Sequence, residues 1–389
     1  MNREDAPAER PPVARRAYKT GSVTTPVVEP APVVPDYGGA CVDSLLRALA
    51  ARPHCPPWVP EPVTRARQLV LLVLDGLGWD QLRARTKLAP TLSGMVGGAI
   101  TTVVPSTTSA ALTSITTGST PGIHGLTGHR LVVPGQGVLD CLRWTVARSD
   151  AREAVPPESW QPVTPFAGTD PVVVTRAGFA DTGFTVAHLR GGRWRGWKVP
   201  STLAVEVGRA LAEAEPFVYA YYDGIDLVAH QCGLDDRYDA ELTAVDRLVA
   251  DLLEALPPGA ALAVTADHGH IDVGDAVTML DGDLVRACTV VSGEARFRWL
   301  TARPGGQSEL LDECRRRYGH LAWVRSRDEV EAAGWLGPRL VPGVAARLGD
   351  VVLAPHAPTA FIEGPRHPVS HHGSLTRGEV LVPLLGGAR

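Results

Sequence analysis

Three stretches of this chain are apolar almost without interruption, and each stops at an acidic residue. "QLVLLVLDGLG" (Gln68 to Gly78) breaks at Asp75-Gly76, "EPFVYAYYDGID" (Glu215 to Asp226) ends in two carboxylates, and "GAALAVTADHGH" (Gly259 to His270) ends in Asp267-His268. Successive side chains of a strand point to opposite faces, so unbroken apolar runs of this length predict strands covered on both sides. Between the second and third lies "DRYDAELTAVDRLVADLLEAL" (Asp236 to Leu256), whose apolar positions recur at helical spacing. Strand, helix, strand in this order predicts a mostly parallel sheet in a three-layer α/β/α core. Open sheets of this kind place their ligands beyond the C-terminal strand ends, where the acidic residues fall here.

"VPSTTSAALTSITTG" (Val104 to Gly118) reads as a loop turning into a short helix. Thr107, Thr108 and Ser109 sit where that helix begins. Two roles suit them: capping the unpaired N–H groups, or supplying a nucleophile where a helix N-terminus favours an anion. "CVDSLLRALAA" (Cys41 to Ala51) has helical spacing. Residues 1–35 are rich in Pro, Ala and charge and predict a disordered tail. Residues 36–389 then form one domain, with small β-rich insertions expected near 128–195 and 275–365.

Composition narrows the field. Hydrophobic residues make up 44% and charged residues 21% of the 389, enough for a sizeable core. A net charge of −4 gives no electrostatic case for nucleic acid or an anionic membrane. The six cysteines show no CxxC spacing, so neither a zinc knuckle nor a redox pair is signalled, and reduced thiols are expected. The longest clean apolar run, Leu69 to Leu74, is far short of the roughly 20 residues of a membrane helix. With no apolar run at the N-terminus either, a cytoplasmic protein is expected.

The strand ends carry metal-type ligands. Asp75 follows the first strand, Asp226 and His230 the second, and Asp267 and His268 the third. The later loop "HPVSHHGSL" adds His371 and His372. Carboxylates mixed with imidazoles suit Zn²⁺, Mn²⁺ or Fe better than Ca²⁺ or Mg²⁺. Three Asp and three His exceed one tetrahedral ion and suit two ions about 4 Å apart, each with an open position. Carboxylates gathered at one sheet edge would repel each other without a cation.

In order along the chain, "VLDGLG", "PSTTSAALTSITTG…PGIHG", "DGIDLVAH", "TADHGH" and "HHGSL" resemble the alkaline phosphatase superfamily, specifically its nucleotide pyrophosphatase/phosphodiesterase branch. The resemblance spans about residues 65–385. It implies the parallel α/β/α core, two divalent ions (Zn²⁺ foremost, Mn²⁺ or Fe otherwise) and a nucleophile that forms a covalent intermediate. Thr108 matches the nucleophile and a metal ligand. Asp75, Asp267 and His268 match the remaining ligands of that ion, and Asp226, His230 and His372 those of the other. His372 is chosen over His371 because the family pattern is His-Gly. The implied activity is hydrolysis of a phosphodiester or pyrophosphate in a small-molecule substrate. Phosphomonoester or phosphonate hydrolysis, or phosphoryl transfer, would use the same site. A metal-stabilised binding protein is the alternative outside enzymes.

The resemblance calls for an Asn three residues after the nucleophile to hold a phosphate oxygen. This chain has Ala111 there, so another donor, such as a backbone N–H at the helix start, is expected to replace it. No Cys or Ser lies in a CxPxR-like context, which argues against a formylglycine sulfatase. His124 is expected to pack beneath the site and His270 to support the metal shell by hydrogen bonding. Trp144, Trp194, Trp197, Tyr221 and Tyr222 are expected to pack.

Overall fold

A computed structural model describes residues 30–364 and 367–389. Of the expected N-terminal tail, residues 1–29 lie outside the described residues. Residues 30–35 have no regular secondary structure, and Val33 N donates to Leu375 O at 2.9 Å.

The core is a seven-stranded sheet. Its strands in chain order are β1 (Gln68–Leu74), β2 (Val96–Thr101), β3 (Val172–Arg176), β4 (Arg193–Trp197), β5 (Phe217–Tyr222), β6 (Ala260–Thr265) and β7 (Leu381–Ala388). Their order across the sheet is β2-β7-β6-β1-β5-β3-β4. β1 pairs in parallel with both β5 and β6, with Leu71 opposite Tyr219 on one side and Ala263 on the other. β3 runs parallel to β5 and β4. Only β7 reverses direction, pairing antiparallel with β6 and β2.

The three apolar runs are thus the three central strands. Leu69 through Leu74 are all 0% exposed, so both faces of β1 are covered. Burying each such Leu or Val contributes about 1.5–3 kcal/mol. Helices α2 (Pro200–Ala212), α3 (Gly224–Cys232) and α4 (Asp236–Ala255) pack as one group, while α1 (Thr108–Thr117) packs with Leu45–Ala50 and Gly183–Leu189. The result is a mixed α/β fold around a large, mostly parallel sheet.

The excursions differ in extent from the sequence reading. Of residues 128–195, only the Arg130–Asp150 part forms a sheet of its own, with four short strands. Val172–Arg176 and Arg193–Trp197 belong to the central sheet. Half-exposed "RWRGW" at the sheet edge hid that role, because an edge strand need not be apolar on both faces. Residues 288–355 contribute a second, antiparallel four-stranded sheet. All six cysteines are free thiols. No helix among the described residues is long and apolar enough to cross a membrane.

Candidate active site

The site forms where β1, β5 and β6 end. Asp75 follows β1 directly, and the next residue must turn sharply. Gly76 does so with a left-handed φ of 77°. A Cβ there would come within 2.7 Å of His270 Nε2 and 3.0 Å of the Asp226 Cα, so only glycine fits. Its amide donates to Asp267 Oδ1 at 3.0 Å, tying the first strand end to the third. After β5, α3 carries Asp226 and His230 one helical turn apart, and His230 Nε2 lies 3.3 Å from Asp226 Oδ1.

Two groups of side chains meet at this edge. In the first, His268 Nε2 lies 3.4 Å from both Asp75 Oδ1 and Asp267 Oδ2, and all three side chains are buried. In the second, Asp226 Oδ1 faces His270 Nε2 at 3.0 Å, His230 Nε2 at 3.3 Å and His372 Nε2 at 3.9 Å. The His268 and His372 rings stack at 3.6 Å between centroids, joining the two groups. The structure therefore brings together all six expected acidic and imidazole ligands: Asp75, Asp226, His230, Asp267, His268 and His372. His371, by contrast, pairs with Ile271 in a two-stranded ladder, and its Nε2 finds no partner.

Backbone carbonyls set the imidazoles' orientation. His268 Nδ1 meets Gly269 O at 3.2 Å, His230 Nδ1 meets Ser370 O at 2.8 Å, and His372 Nδ1 meets Ser106 O at 3.0 Å. A carbonyl only accepts, so each Nδ1 carries a proton, and each Nε2 is turned towards the carboxylates. Burial holds His268 down at about 3, and burial, then His268, depresses His372. Burial also lifts Asp267 to about 7, while burial, then Asp267 and Asp226, raises Asp75. Burial alone would raise Asp226 too, but His230 and His270 bring it well below the ordinary carboxylate range.

Asp75 Oδ1 and Asp267 Oδ2 are buried without a hydrogen-bond partner. Two orphaned carboxylate oxygens facing an imidazole lone pair are a costly arrangement unless a cation joins them. The donor set, carboxylate oxygen with Nε2 nitrogen, fits a divalent transition metal. Asp75/Asp267/His268, Asp226/His268/His372 and Asp226/His230/His270 each converge closely enough to hold an ion.

Thr108 opens α1, and its Oγ1 lies 3.2 Å from His268 Nε2. The neighbouring hydroxyls look elsewhere: Ser109 Oγ donates to Gly128 O at 2.7 Å and Ser106 Oγ to Ser374 O at 2.7 Å. None of the hydroxyls in question caps the helix, since the N-cap Thr107 makes no side-chain cap bond. A cavity of about 540 Å³ opens beside Thr108, Asp75 and Asp226, walled by Leu112, Leu142, Phe179 and Phe184 among others. Ala111 is fully buried and is not part of that wall. Ala111 packs in the hydrophobic core, so position 111 offers the cavity no polar group.

His124 is a fully buried loop histidine, with Nε2 at 2.9 Å from Ser114 Oγ and Nδ1 accepting from Leu126 N. His270 Nδ1 meets Ser370 Oγ at 2.8 Å while its Nε2 reaches Asp226. Trp144 and Trp197 are buried, and Trp194 is half-buried. Tyr221 does more than pack: its hydroxyl donates to Asp75 Oδ2. Sequence reasoning also missed the buried Arg296–Glu379 pair. Glu379 Oε1 accepts from Ser374 N, and its backbone oxygen accepts from Gly269 N, so it contacts both loops that carry ligands. Isolated Arg and Glu residues far apart in sequence carry no signal of such a pairing.

A mostly parallel α/β sheet with this edge defines a hydrolase of the phosphoesterase type. The chain belongs to the type I phosphodiesterase / nucleotide pyrophosphatase family, whose model matches residues 69–375, within the alkaline phosphatase superfamily of dimetal hydrolases. Among solved structures it is similar to murine ectonucleotide pyrophosphatase / phosphodiesterase 5, at 15% identity and a TM-score of 0.63, covering 83% of this chain and 88% of that one. It is also similar to phosphonoacetate hydrolase from Sinorhizobium meliloti 1021, solved with phosphonoformate, at 18% identity and a TM-score of 0.59, covering 84% and 91%. At these identities the likeness speaks for the fold. No curated protein matches the chain at a significant level.

Proposed function

We propose that the protein hydrolyses a phosphodiester or pyrophosphate bond of a small-molecule substrate through a covalent intermediate on Thr108, with two divalent ions, foremost Zn²⁺. The observation that carries this reading is the place of the Thr108 hydroxyl, 3.2 Å from His268 Nε2 beside two unpartnered carboxylate oxygens. Asp75, Asp267 and His268, with Thr108, would hold one ion; Asp226, His230 and His372 would hold the other. The ions supply Lewis acidity, lowering the pKa of a bound hydroxyl or water and offsetting charge on the phosphoryl oxygens. Thr108 Oγ1 gives up its proton to solvent water and attacks phosphorus while the bond to the leaving oxygen breaks, and that oxygen departs taking a proton from solvent. Water then attacks the same phosphorus, the Thr108 ester bond breaks, and the threonine is restored. The N-terminus of α1 favours the anionic group that collects there. Tyr221 fixes the orientation of Asp75 throughout.

Support for the reaction class comes from the family and from the ligands of its structural neighbours. An inactive threonine-to-alanine variant of the murine neighbour was solved with AMP, and the bacterial neighbour with a phosphonate.

The test is Thr108→Ala beside Ser109→Ala, assayed on bis-p-nitrophenyl phosphate, p-nitrophenyl phosphate and thymidine p-nitrophenyl phosphate with added zinc. We expect Thr108→Ala to lose turnover by about a thousandfold or more while keeping its fold and metal content, and Ser109→Ala to stay active. The reverse pattern would reassign the nucleophile. Preference within the ester panel separates the diesterase reading from monoester hydrolysis.

A further inference from the structure

Three imidazoles, not two, gather on Asp226. Its Oδ1 lies 3.0 Å from His270 Nε2, 3.3 Å from His230 Nε2 and 3.9 Å from His372 Nε2. The nearest of the three is the one that the sequence resemblance leaves out of the ligand set. The His270 side chain is 0% exposed. Its ring stands edge-on to those of His230 and His372, at 5.0 and 5.3 Å between centroids. Two ligands bound to one tetrahedral ion at about 2.0–2.1 Å are about 3.3 Å apart. The contacts of His270 and His230 with Asp226 fall close to that spacing.

The backbone builds this position. Ile271 pairs with His371 and Asp272 with Ser370 in an antiparallel ladder. Continued by one residue, that register sets His270 opposite His372. Opposed residues share a face, and their neighbours point the other way. The alternation sends His270 and His372 to Asp226 and turns His371 away from it. Gly76 clears the space, since a Cβ there would come within 2.7 Å of His270 Nε2. Ser370 serves two of the rings at once. Its carbonyl oxygen meets His230 Nδ1 at 2.8 Å, and its hydroxyl oxygen, which can also accept, meets His270 Nδ1 at 2.8 Å. A partner on one ring nitrogen that leaves the other for the ion is what metal-bound histidines have in general. A hydrogen bond to Asp226 needs one imidazole and gives no reason for three to converge on one oxygen.

We infer that His270 is a ligand of the ion held at Asp226, which therefore sits among one carboxylate and three imidazoles: His230, His270 and His372. This rests on the two-ion reading proposed above. Catalytic zinc sites expand from four to five ligands, so a fourth protein ligand still leaves the substrate a place.

The test is to label the protein with nitrogen-15 histidine, load it with cadmium-113 and record the one-bond coupling between the two nuclei. The chain has 12 histidines. We expect coupling at His230, His268, His270 and His372. His270→Gln, whose amide can still donate to Asp226, should remove the His270 signal and leave the other three. A wild-type His270 without coupling would overturn the inference, whether or not the variant folds. Competition for zinc against a chromophoric chelator gives a second readout. His270→Gln should weaken one of the two ions by more than about a hundredfold, beyond the roughly ten- to hundredfold that loss of an outer hydrogen-bonding partner costs. Ser370→Ala, which removes only such a partner, should fall within that lower range. A smaller loss in His270→Gln would make its ring a positioning group and overturn its assignment as a ligand. Failure of the two-ion reading shows itself separately, as wild type that binds fewer than two ions per chain or, zinc-loaded, hydrolyses no member of the ester panel.

Discussion

Neutral imidazoles set a hydrogen-bond length from carboxylates leave the charge of the site to be balanced by the cation that joins them. This makes the stabilisation by a bound cation sensitive to pH in a definite direction. Near pH 6.5 the unfolded chain still protonates about half of its imidazoles, while burial keeps those of His268 and His372 uncharged in the fold, so they make stability rise with pH. Asp267 and Glu294, both pushed up to about 7 chiefly by burial, still hold protons in the folded protein that the unfolded chain has released. A raised carboxyl stabilises the fold at low pH and loses that contribution as pH rises through its folded value. The two effects oppose each other, so the Tm of the metal-free protein should change little between about pH 6.5 and pH 8.5. Zinc should raise the Tm by more at about pH 8.5, where Asp267 has already released the proton that binding displaces. Thermal melts of stripped and zinc-loaded protein at the two pH values check this, and a gain from zinc no larger at about pH 8.5 than at about pH 6.5 would contradict it. At this scale the sequence was informative: Asp75, Asp226 and Asp267 each end an apolar run, and no bland reading puts three carboxylates at one sheet edge. The role of Tyr221, whose hydroxyl donates to Asp75, was not legible. An aromatic in a buried strand looks the same whether its hydroxyl meets a ligand, a carboxylate or nothing.

Elements hold these residues in place through contacts that cross the fold. The short helix Arg377–Val380 carries Glu379, which binds Arg296 at 2.7 and 2.9 Å with both side chains 0% exposed. Arg296 also donates to the carbonyls of Pro355, Ala357 and Thr359, so the pair joins the second sheet to the loop bearing His372. Removing one partner of a buried pair leaves the other charge uncompensated, at a cost of about 3–5 kcal/mol. Arg296→Met should therefore lower the stability by that amount in urea unfolding. A change below about 1 kcal/mol would show that the pair is dispensable. The helices and central strands were legible from period and run length. β7 was not, because "LVPLLGGA" contains Pro383, Gly386 and Gly387, which count against a strand interior. Packing overrides propensity there: a Cβ on Gly386 would come within 2.6 Å of Pro60, and one on Gly387 within 2.7 Å of Leu253.

For the whole molecule, β7 is the strand that connects β2 to the rest of the sheet. It pairs with β6 on one side and β2 on the other, so its removal opens two ladders at once. Deletion of residues 381–389 should give protein that is largely insoluble, with no cooperative unfolding transition, since unpaired strand edges invite association. Soluble protein with a sharp melt would contradict this. The same topology sets the order of events during synthesis. Asp75 leaves the ribosome about 300 residues ahead of His372 and β7. A nascent chain therefore holds a partial set of ligands and a sheet that has not closed. On the proposed reading, metal capture and hydrolysis await the arrival of His372 and the closing of the sheet by β7.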